Sequence, residues 1–177
     1  MKKFGISILF FITFIIIYLL QANIFPSLKI AGVMPNLFVI FILWIGLFAN
    51  TIEAVGFGLI MGVLIDLIYG KVIGITAVML CVIGYLGAYF DKNFSKESKF
   101  KIVLMVIGAT LIYEIGYYAL GGLIIGYDFE WLKLMKIVIF EIIYNVLITI
   151  ILYPMIQNLG YKVDRAFKRN NILTRYF

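Results

Sequence analysis

Histidine is absent from the 177 residues, cysteine occurs once, and only 14% of residues carry a charge. The missing histidine removes the usual general base, the usual metal ligand and the usual near-neutral pH switch. Any chemistry would have to run on carboxylates, tyrosine or lysine. The lone Cys81 lies inside an apolar run, so no internal disulfide and no cysteine cluster for a metal can form. It reads as a small buried hydrophobe. There is no Gly-x-Gly-Asp protease motif, no His-Glu-x-x-His helix, no Gly-x-Ser-x-Gly elbow and no phosphate loop. The expectation is therefore a protein that is not an enzyme and that holds no metal and no cofactor. Soluble domains have about a quarter charged residues, and this chain has too few charges to cover a water-facing surface.

What is present is hydrophobicity, 64% of residues, with a mean hydropathy of +1.11. No hydrophilic domain and no low-complexity linker interrupts it, which predicts an all-α integral membrane protein built as one polytopic domain over 1–177. The first apolar run, 4–25, makes ~33 Å of helix and lacks a small-x-small cleavage site, so it reads as a retained span. The charges divide the rest into runs at 37–49, 54–69, 72–90, 102–127 and 134–157, giving six transmembrane helices in one bundle and a basic tail over 158–177. As one helix, residues 37–69 would measure ~50 Å, too long for a ~30 Å hydrocarbon core and short for two full spans. Two short helices turning at residues 50–53 fit that length. Pro35 suits the opening of the first of them, because a proline in the first turn loses no internal hydrogen bond.

Counting lysine and arginine on alternate sides gives eleven against four. Lys2, Lys3, Lys92, Lys96, Lys99, Lys101, Lys162, Arg165, Lys168, Arg169 and Arg175 fall on one side; Lys29, Lys71, Lys133 and Lys136 fall on the other, with Asp128 and Glu130. The positive-inside rule then puts both termini in the cytoplasm, which requires an even number of spans. The net charge of +6 lies in short membrane-flanking segments, which points to topology and anionic lipid and away from nucleic acid. In the tail, Leu159, Val163, Ala166 and Phe167 recur at helical spacing with Lys162, Arg165, Lys168 and Arg169 between them. That is the pattern of an interfacial amphipathic helix in contact with lipid or, alternatively, with a cytoplasmic partner.

The most specific pattern is small or acidic residues at every fourth position: Gly58, Gly62, Asp66, Gly70 and Gly74. Gly58, Gly62 and Asp66 share one helix face, a groove that admits another backbone, from this chain or from a partner. Gly70 and Gly74 fall in the following turn and at the start of the next helix. Asp66 needs a partner there, either Lys71 or the backbone N–H groups that open the next helix. Glu114 falls near the middle of its span among Tyr113, Tyr117 and Tyr118; Glu141 and Asn145 lie four apart on the last span, with Lys136 in position to neutralise the glutamate. No two acids stand at close helical spacing, so each reads as a buried hydrogen-bond node more than as part of an ion path.

Pro35-Asn36-Leu37 at the start of the second span, the Gly58/Gly62/Asp66 ladder with Gly70 and Gly74 after it, and the chain's size and basic ends resemble the bacterial rod shape-determining protein MreD family. The resemblance implies a non-catalytic subunit of the cell-elongation machinery, needed for cell shape and lateral peptidoglycan synthesis. Its implied partners are the single-span protein MreC, MreB filaments, RodA and a class B penicillin-binding transpeptidase; self-association stays open. The alternative is the substrate-binding subunit of an energy-coupling-factor vitamin transporter, similar in size and helix number. Those subunits commonly have Ala-x-x-x-Ala patches in the first helix, where this chain has one late alanine, Ala22.

Overall fold

The computed structural model describes residues 2–69, 72–93, 98–126 and 130–167. Gly70, Lys71, Lys96, Tyr127, Asp128, Lys168, Arg169 and Arg175 lie outside the described residues. Among the described residues there are six α-helices and no strand: α1 (Lys2–Asn23), α2 (Leu37–Phe48), α3 (Thr51–Tyr69), α4 (Ile75–Asn93), α5 (Lys99–Ile125) and α6 (Trp131–Phe167), with a single 3-10 turn at Phe25–Leu28. Five of the six are long and apolar enough to cross a membrane.

The second is not. α2 has 12 residues, or ~18 Å of helix, so it is shorter than a ~30 Å core is thick. It is buried on nearly all sides, from Leu37 and Phe38 to Leu47 and Phe48, as a helix apolar all round should be. Its start is set by Asn36, whose side-chain oxygen accepts a hydrogen bond from the Val39 N–H at 3.3 Å. Pro35 therefore stands just outside the helix and not in its first turn, and its carbonyl accepts from Gln21 Nε2 at 3.1 Å. The connection from α1 closes on a two-residue turn, Ala31-Gly32, between Ile30 and Val33, which bond each other's backbone.

Helix pairs run antiparallel where side chains register them. Phe10 meets Phe41 and Phe14 meets Phe38 between α1 and α2. Between α3 and α4, Ala54, Gly58 and Gly62 face Gly84, Leu80 and Ala77 in turn. α4 also packs on α2 and α5, so it lies inside, while α1 buries only Phe10 and Phe14 and leaves Phe4, Ile8, Phe11 and Ile15 exposed.

The sixth helix does not end at 157. α6 continues to Phe167 through Pro154, which removes one internal N–H and is a standard cause of a bend. Beyond it, Gly160 lies against the Phe48 ring, Val163 is buried, and Phe167 stacks on Phe10 with ring centroids 6.5 Å apart. The apolar stripe of the tail is thus seated on α1 and α2 of the same chain, with Lys162 and Arg165 exposed on its other side.

Candidate functional site

Two polar centres lie between the helices. The first is Asp66, near the end of α3 and 2% exposed. Its Oδ2 accepts from the backbone N–H of Gly74 at 2.8 Å and of Ala77 at 3.2 Å, and its Oδ1 from the N–H of Thr76 at 3.2 Å. Asp66 therefore caps the N-terminus of α4 from the neighbouring helix, using donors that have no partner inside α4. The negative charge sits at the positive end of that helix's dipole. Gly74 turns the chain into the cap with φ +112°, a conformation that side chains rarely adopt. Of the two partners expected for Asp66, the backbone is the one observed; Lys71 lies outside the described residues.

Below the cap, the glycine face is filled by α4. A Cβ on Gly62 would stand 2.3 Å from Ala77 Cα, and one on Gly58 would stand 2.6 Å from the Leu80 carbonyl oxygen. α4 answers with small residues of its own. Gly84 meets the Ala54 carbonyl, and Gly87 meets Gly46 of α2, each too close for a side chain. The Cys81 thiol, half-buried, donates to the Val55 carbonyl at 3.5 Å. Ala77, Cys81, Gly84 and Ala88 recur at four-, three- and four-residue steps, a small-residue stripe the sequence reading missed although the spacing was there to see.

The second centre joins α2, α5 and α6. Asn145 is fully buried; its Oδ1 accepts from the Asn36 N–H at 2.8 Å, and its Nδ2 donates to Thr110 Oγ1 at 3.0 Å. Thr149 donates back to the Asn145 carbonyl at 2.7 Å. One turn away, Glu114, four residues after Thr110, and Glu141, four residues before Asn145, face each other across the antiparallel α5–α6 contact, with Asn145 and Asn36 beside Glu141. Tyr113, buried beside both acids and Asn36, stacks on Tyr117 with centroids 5.9 Å apart. Tyr118 instead accepts from the Glu130 N–H at the start of α6. Lys136, expected to neutralise Glu141, is exposed, and the acid's neighbours are Glu114 and two amides. The pairing was invisible to spacing because the two glutamates lie on different helices.

An apolar cleft of about 130 Å³ opens between α1, α2 and α6, lined by residues such as Leu9, Phe41, Trp44, Met155 and Leu159. Trp44 Nε1 is buried there without a hydrogen-bond partner among the described residues. Among the described residues, no group of three or more Cys, Asp or Glu could hold a metal ion.

Six apolar helices, five of them long enough to cross a membrane, with a backbone-capping aspartate and glycine faces used for helix contact, define a multi-pass helical membrane protein. The family model of the rod shape-determining protein MreD matches residues 1–163, and the chain belongs to that family. No curated protein and no solved structure matches it.

Proposed function

We propose that the protein is a non-catalytic scaffold of the bacterial cell-elongation machinery in the inner membrane, acting through helix surfaces on a single-span partner of the MreC kind and, through it, on MreB filaments, RodA and a class B transpeptidase. The family match over residues 1–163 carries this reading. The distribution of burial supports it: the glycine faces of α3 and α4 are consumed inside the chain, while α1 turns a stripe of Phe4, Ile8, Phe11, Ile15 and Leu19 outward. A single transmembrane helix is the natural complement of such a stripe. The vitamin-transporter reading is less well supported, since ligand pockets usually measure about 300–1,000 Å³ with several converging polar groups, whereas the cleft here holds about 130 Å³ and is almost wholly apolar.

Depletion of the protein should turn rod-shaped cells round, and purification in mild detergent should recover a single-span elongation protein as the main partner by mass spectrometry. Recovery of paired ATPases with a vitamin-sized ligand, and unchanged cell shape, would refute the scaffold reading.

Both termini belong in the cytoplasm on this reading, because α2, though short, runs antiparallel to α1 and makes the return that keeps the number of crossings even. The eleven-to-four asymmetry of basic residues supports it, and so does the stacking of Phe167 on Phe10, which sets the end of α6 beside the first half of α1. In a Cys81→Ala background, single cysteines at Lys3, Ser98 and Asn171 should react only with reagents that reach the cytoplasm. Labelling of Ser98→Cys from outside would overturn the topology.

A further inference from the structure

We propose that Glu114 and Glu141 form a proton-binding site inside the helix bundle, with the two carboxyl groups holding one proton in common. The chemistry follows from their contact. An ionised carboxylate only accepts hydrogen bonds, so two carboxyls in contact can bond each other only when one of them carries a proton. These two face each other across α5 and α6, one turn from the Thr110–Asn145 hydrogen bond. Two negative charges in contact cannot both persist away from water, and a dyad resolves this by sharing a proton.

The surroundings offer no other compensation. The groups facing the pair are Asn36 from α2, Thr110, Tyr113 and Tyr117 from α5, and Asn145 from α6, all uncharged amides and hydroxyls. No lysine or arginine is among them; Lys136 is exposed. Glu141 is 5% exposed and its Oε1 has no hydrogen-bond partner among the described residues, a buried acceptor left open at the heart of the cluster. Glu114 is half-buried. Because Asn36 opens α2 and lies beside both Glu141 and Tyr113, the site joins three helices. This site goes beyond the scaffold reading and does not depend on it.

Infrared spectroscopy of the full chain in detergent and D₂O tests the site. The wild type should show a protonated-carboxyl C=O band that moves on ¹³C-glutamate labelling and stays on ¹³C-aspartate labelling, with the intensity of one carboxyl per chain. Glu114→Gln and Glu141→Gln keep the shape, and their amides donate to the remaining carboxylate, so each variant should lose the band. Absence of the band from the wild type, or its survival in both variants, overturns the proposal. If neither variant accumulates, labelled Glu53→Gln protein decides: a retained band supports the pair, and a lost band assigns the proton to Glu53 and overturns it.

Discussion

Gly62→Leu should largely abolish the folded protein in membranes, while Gly56→Leu, six residues earlier on the same helix, should leave it near the wild-type level. The contrast rests on what a side chain would meet. At Gly62 the first added carbon would stand 2.3 Å from Ala77 Cα and 2.7 Å from Ala77 N, both backbone atoms that cannot swing aside. At Gly56 nothing lies within 4 Å. Relief at Gly62 requires α3 and α4 to separate, and α4 is held on its other side by the Gly46–Gly87 contact with α2. Overpacking of this kind costs ~1–3 kcal/mol for modest additions, and a rigid backbone contact stands at the upper end. One or two kcal/mol already changes the folded-to-unfolded ratio ~5–30-fold. Membrane abundance and thermal unfolding of the two variants in detergent check this. Equal abundance and equal midpoints would show that the α3–α4 seam does not set stability.

Asp66→Ala should be the second severe lesion. Three backbone N–H groups at the start of α4 lose their acceptor at once, two of them in buried bonds. A buried donor left unmet costs ~1–3 kcal/mol, and loss of a helix cap alone costs about 1 kcal/mol. Asp66→Asn should fall between Ala and wild type. One amide oxygen can take the place of Oδ2 and keep the bonds from Gly74 and Ala77, but the NH₂ group then opposes the Thr76 N–H, and the charge that favoured the helix dipole is gone. The unfolding midpoint in detergent should therefore order wild type above Asn above Ala. A well-folded Asp66→Ala protein with the wild-type midpoint would remove the cap from the list of stabilising contacts and point to a role for the carboxylate in something other than folding.

Both lesions follow from features legible at different levels. Hydropathy alone located the helices, because insertion of a segment into lipid depends on its own composition and length. The face shared by Gly58, Gly62 and Asp66 was also legible, since residues four apart superpose on any helix. The same logic would have exposed the Ala77, Cys81, Gly84, Ala88 stripe that meets it.

Which faces pack was a matter for the tertiary structure. Lipid and protein interior are equally apolar, so a membrane helix need not mark its buried side with hydrophobic residues; α2, apolar all round, gives no hint of which helices cover which of its sides. The partner of Asp66 could not be singled out because backbone N–H groups have no residue signature; only the turn at Gly74 brings them to the carboxylate. Asn36 and Asn145 are 109 residues apart, and Glu114 and Glu141 stand on separate helices, so no local period relates them. The sequence by itself determined the solvent of this protein, its helix count and the small-residue face of α3. The antiparallel pairing of α5 with α6 and the docking of α2 against both decided that two isolated acids become one pair, because contacts between distant segments depend on the closed bundle and not on the spacing within any single helix.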